Sequence, residues 1–105
     1  MKNYIILLFS LLIIFSCEEN KSKEVNIYSK RHYQVDIKQY ENFEKLTGIK
    51  VNVIKAGDDE LLERLKNEGK NSPADLFVTV DAGKLQKGVE MGLFQKITSD
   101  LIDSN

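Results

Sequence analysis

Three hydrophobic patterns follow one another along the chain. Residues 4–15 are almost all apolar and carry no charge; residues 18–24, EENKSKE, are polar and have no periodicity. From Val25 onward, short β-branched runs alternate with longer amphipathic ones. A membrane-spanning helix needs about 20 apolar residues, so the first run, with Lys2 ahead of it, has the length of a signal-peptide core rather than of a span. The polar stretch reads as a flexible tether. The alternation that follows predicts an α/β fold of βαβ units on a parallel sheet.

Each unit has its own punctuation. The first predicts a strand over 25–29, a loop over 30–35, and a helix capped by Asp36, with Gln39 completing a capping box and Val35 stapled to Tyr40. Ile37, Tyr40, Phe43 and Leu46 would share its packing face, and Gly48 would end it in the left-handed conformation. In the second unit, a strand over 51–54 leads through Gly57 into a helix opening on Asp58, Asp59 and Glu60, packed by Leu61, Leu62 and Leu65, and stopped at Gly69. Three acids together suggest a cation site, but acids in a first turn also complement the helix dipole, and that simpler reading is preferred. The third unit predicts a strand over 74–80, Asp81 as N-cap, Leu85 and Val89 facing inward, and a close near Gly92. A weak fourth strand is expected over 93–97.

Right-handed crossovers place these strands in the order 2-1-3, which puts the third at an edge. Leu76, Phe77, Val78 and Val80 are nevertheless apolar on both alternating faces, as in an interior strand. Either a partner covers that edge or later strands of a longer chain complete the sheet. Alone, a domain of this size is marginally stable, and an uncovered apolar edge invites unwanted pairing.

Composition narrows the function classes. At 105 residues the chain holds one small domain, which excludes a multidomain enzyme. Its 15 basic and 16 acidic residues balance to a net charge of -1 with no run of one sign, so no nucleic-acid partner is indicated. There is no P-loop, no G-x-G-x-x-G cradle and no Ser-His-Asp set, which argues against an enzyme.

The single cysteine directly follows the apolar run. Ile14, Phe15, Ser16 and Cys17 resemble the lipobox of bacterial lipoproteins, in which the cysteine is diacylated and becomes the new N-terminus. That resemblance implies a signal peptide over 1–16, a lipidated tether over 17–24 and a membrane-attached product in the periplasm or at the cell surface. Each buried acyl methylene contributes about 0.8 kcal/mol, so two or three chains on Cys17 would anchor it firmly.

The chemistry is concentrated in SKRHY, residues 29–33, at the carboxyl end of the first strand, where open parallel α/β sheets collect ligands. His32 offers an imidazole, and Tyr33 a phenol that binds a hard trivalent cation as phenolate. Lys30 or Arg31 could hold a helper anion or face solvent. On residue chemistry alone the pair is a weak signal, and His32 and Tyr33 read more readily as ordinary surface groups. The wider text decides more: VNIYSKRHY, then TGIKVNVIKAGDDELLERLKNEGKNSPADLFVTVDAGKL, then EMGLFQKI, resembles the N-terminal part of the ferric-iron substrate-binding proteins of bacterial ABC transporters.

The resemblance implies a type II periplasmic-binding-protein fold whose two lobes close on Fe(III), with residues 25–105 as a partial N-terminal lobe. It implies His32 and Tyr33 as metal ligands, Fe(III) as cargo, no organic cofactor, no catalytic role, and an ABC permease as partner. Later tyrosines of the other lobe and hinge complete the site in such proteins. The chain given ends at Asn105, before residues that could align with them, and Tyr4, Tyr28 and Tyr40 do not replace them. An ion that prefers about six donors finds two here, so tight binding by this stretch alone is not expected. The alternatives are the same fold with another solute, a fragment that depends on a partner, or a small flavodoxin-like enzyme.

Overall fold

A computed structural model describes residues 23–104. Its centre is β1 (Glu24–Ser29), which pairs in parallel with β2 (Lys50–Lys55) on one side and β3 (Leu76–Val78) on the other, in the order β2-β1-β3. Ile27 stands opposite Val53 in one neighbour and Leu76 in the other. The predicted order therefore holds, because each crossover carries a helix long enough to return the chain to the same end of the sheet. The helices are α1 (Gln34–Thr47), α2 (Asp58–Glu68), α3 (Ala82–Glu90) and a short α4 (Asp100–Asp103), with a 3-10 turn, Gly69–Asn71, after α2. Among the described residues no helix is long and apolar enough to cross a membrane.

The buried apolar core is Ile27 and Tyr28 of β1 under Leu61 and Leu62 of α2. Tyr28 is wholly buried, and its hydroxyl donates to Glu68, 2.8 and 2.9 Å from the two carboxylate oxygens. Arg64 pairs with the same carboxylate and lies 4.9 Å from the Tyr28 ring centre, so a buried phenol is satisfied without entering solvent.

Helix ends follow the sequence in most places. Gly48 at φ +70° closes α1 by donating to the Glu44 carbonyl at 2.8 Å. Asp81 caps α3, its Oδ1 accepting from the N–H groups of Gly83 (2.8 Å) and Lys84 (3.2 Å). Gly92, also at φ +70°, donates to Val89 while Leu93 donates to Gly88, the paired pattern of a Schellman close.

Several expectations fail. Asp36 does not cap α1: the helix starts two residues before it, with Tyr33 at the N-cap position, and the Asp36 carboxylate instead receives both arms of Arg31 at 3.0 Å. A bidentate guanidinium outcompetes a single backbone N–H for that carboxylate. Val35 is consequently exposed and forms no staple. On the same helix Leu46 is 87% exposed, since nothing described covers its last turn.

Leu85 and Val89 do not face inward either. The buried residue of α3 is Gly88, where a Cβ would run into the Phe94 ring, so the helix docks through its smallest residue and leaves both aliphatics exposed. Residues 93–97 form no strand: Leu93 spends its N–H on the close of α3, and Phe94 turns back to stack on Phe77 at 5.6 Å. Finally, β3 is shorter than predicted, and Leu76 and Val80 are exposed rather than covered on both sides. Edge position, not composition, sets their burial.

Candidate metal centre

The loop that leaves β1 is held at several points before it reaches the donors. Ser29 is buried, and its Oγ accepts from the Arg31 N–H at 3.0 Å. The Lys30 N–H donates to the Val78 carbonyl of β3 at 3.2 Å. Arg31 is clamped to Asp36, and that hydrogen bond first of all raises the guanidinium above its ordinary pKa. These ties hand His32 and Tyr33 to solvent directly above the sheet's carboxyl end and at the start of α1.

His32 and Tyr33 are brought together as the sequence suggested. Their rings stack, with centres 5.9 Å apart and planes 22° off parallel, and Tyr33 is 53% exposed. Nδ1 of His32 lies 3.1 Å from the Lys30 carbonyl oxygen. A carbonyl only accepts, so a hydrogen bond at this distance requires the Nδ1–H form, which in the neutral ring leaves the lone pair on Nε2 for a metal. Arg31 sits 5.2 Å from the Tyr33 ring centre, within cation-π distance.

A groove of about 320 Å³ opens beside the pair, bounded by Tyr40 on α1 and by Val51, Val53 and Lys55 on β2. Tyr28 takes no part: burial and the bond to Glu68 raise its pKa, and its hydroxyl is committed. Among the described residues no three His, Cys, Asp or Glu side chains cluster so as to hold a metal ion. Two donors stand together, and a chelating set does not. Cys17 lies outside the described residues.

The flanking cations are less available than the sequence suggested. Arg31 is taken by Asp36, and Lys30 points to Asp58, with 3.7 Å between Nζ and Oδ2. Asp58 was counted only as a first-turn acid, yet it is 3% exposed and neither carboxylate oxygen has a hydrogen-bond partner among the described residues. Its neighbours divide as expected of surface acids: Asp59 bonds Lys84 and Lys87 across to α3, and Glu60 is exposed. The only signal for the difference was helical phase, since Asp58, Leu61, Leu62 and Leu65 fall on one side of α2.

The parallel β2-β1-β3 sheet and its helices match solved structures of periplasmic iron-binding proteins. A Trichodesmium protein solved with iron and citrate ligands superposes with a TM-score of 0.72 at 49% identity, covering 77% of this chain and 26% of that one. The ferric binding protein from Campylobacter jejuni gives 0.73 at 44% identity, over 76% of this chain and 25% of that one. In sequence, "Iron uptake protein A1" of Synechocystis sp. is 48% identical over 85 residues, which are 81% of this chain and 24% of the relative. No family model matches the chain. These proteins are its homologues, and the chain spans about a quarter of the length of the relatives it matches.

Proposed function

We propose that this chain belongs to the iron-binding component of a bacterial ABC importer and supplies the His32 and Tyr33 half of its Fe(III) site. One observation carries the reading. An imidazole whose Nδ1 lies 3.1 Å from a main-chain carbonyl, leaving Nε2 open to ligate, stands stacked on an exposed phenol at the carboxyl end of the central strand. The names of the homologous proteins, iron uptake and Fe(3+)-binding, support the choice of cargo. The chemistry agrees: ferric ion is hard and highly charged, so it lowers a phenol's pKa and takes it as phenolate. The chain's own residues orient the two donors and leave the remaining positions to groups outside it, from a second lobe that closes over the ion. No covalent step is involved, and the role is one of binding.

The remainder of the reading concerns delivery. Residues 1–16 direct export, Cys17 is acylated and residues 17–24 tether the lobe to a membrane, where an ABC permease receives the iron. The support is the apolar run ending at the chain's single cysteine.

Ferric titration tests the ligand reading. In a protein whose second lobe completes the site, bound iron should give the visible charge-transfer colour of a tyrosinate, lost in Tyr33→Phe and kept in Tyr40→Phe, whose ring borders the groove. Colour that survives Tyr33→Phe contradicts it. Mass analysis after expression in bacteria should find an acylated Cys17, and an unmodified soluble product would remove the anchor.

A further inference from the structure

The proposed ligand His32 depends on the Lys30 carbonyl, and Lys30 is itself held from three directions. Its N–H donates to Val78 on the neighbouring strand. The peptide that carries its carbonyl is fixed at the other end, where the Arg31 N–H donates to Ser29 Oγ. Its ammonium lies 3.7 Å from Asp58 at the start of α2. The first two contacts are main-chain ties within the sheet and loop. The third joins the loop to the core helix.

Asp58 is an unusual partner. It is 3% exposed, neither oxygen is hydrogen-bonded among the described residues, and Lys30 is its one ion-pair partner there. A buried carboxylate without a cation is strongly disfavoured, and the positive end of α2 offsets only part of that penalty. The half-exposed ammonium lies against the start of α2, and removing it would leave the buried carboxylate without its ion-pair partner. Lys30 at the same time keeps its other end against His32.

We propose that Asp58 is a positioning residue for the metal site: through Lys30 it fixes the carbonyl that selects Nε2 of His32 as the ligating nitrogen. This rests on the reading of His32 as a ligand. Asp58 does not touch the ion. It acts as outer-sphere partners of metal-bound histidines do, by setting ring orientation and tautomer, here one step further removed.

His32 is the only histidine in the chain, so its two ring nitrogens can be read without overlap by long-range nitrogen-proton NMR. The spectrum is followed upward in pH until the ring signals stop moving, and the ratio of tautomers is read there. The chain should hold the Nδ1–H form. Asp58→Asn and Lys30→Met should each lower the ratio of Nδ1–H to Nε2–H by about fivefold, the worth of one net hydrogen bond. Lys30→Arg, which keeps the cation, should retain it.

An unchanged ratio in Lys30→Met with a native amide spectrum overturns the proposal, and so does an equal fall in Lys30→Arg and Lys30→Met. If Asp58→Asn fails to fold, the two Lys30 variants decide alone. No iron enters this measurement. A His32→Ala variant that binds iron as well as the parent would overturn the ligand reading while leaving the Asp58 linkage as measured.

Discussion

Asp58, Asp59 and Glu60 are consecutive carboxylates in one first turn, with three different surroundings. Asp58 is buried against Lys30, Asp59 bridges Lys84 (2.5 Å) and Lys87 (2.9 Å), and Glu60 faces solvent. Composition could place all three at a helix start, and did. It could not rank them, because burial depends on which side of α2 meets β1, and that is settled only when the helix docks. The Asp59 case has a pH signature. Hydrogen bonds from Lys84 and then Lys87 hold its carboxyl at about 2, below the ordinary 3.8. A carboxylate depressed on folding contributes stability above its unfolded pKa and loses it as pH falls through the folded value. The stability gap between the parent and Asp59→Asn should therefore be constant above about pH 4 and close as pH falls towards 2, in urea midpoints taken across that window. A gap that stays constant down to pH 2 would show that the lysine bonds do not form in solution.

Among the elements, those with strong local signals were legible. Gly48, Gly92 and Asp81 each end or begin a helix as their chemistry requires, and β1 and β2 fall within a residue or so of their apolar runs. Errors arose where a distant residue competed. Arg31 takes the Asp36 carboxylate and moves the start of α1 up to the donor loop, so that Tyr33 doubles as proposed ligand and N-cap residue. Phe94 and Gly88 meet across the close of α3 and prevent a strand over 93–97. Neither partner is visible from periodicity. The cap at Asp81 gives a clear test: Asp81→Ala removes the acceptor for two N–H groups and should cost about 1 kcal/mol in urea unfolding. A loss well below that would mean solvent caps α3 equally well, and Asp81→Asn should restore most of the parent's stability.

For the whole molecule, the 2-1-3 order and the apolar β3 edge were both readable, and together they say that the sheet expects a neighbour. Leu76, Val80, Leu85 and Val89 remain exposed around that edge. The same incompleteness governs the site. His32 and Tyr33 are two donors where ferric iron prefers about six, and no further cluster lies among the described residues. The wording around SKRHY singles these two out as candidates, and the geometry adds that their rings stack side by side. The sequence could not reveal the carbonyl at Lys30 or the buried Asp58 behind it, since both depend on which peptide faces which ring.

The central claim is that the imidazole and phenol at the end of β1 ligate oxidised iron together. Iron K-edge X-ray absorption of the ferric-loaded protein, with a second lobe completing the site, is the measurement that bears on it. The account predicts outer-shell scattering from one imidazole in the parent, absent in His32→Ala, and a short iron-phenolate distance lost in Tyr33→Phe. An iron environment identical in the parent and both variants would contradict it.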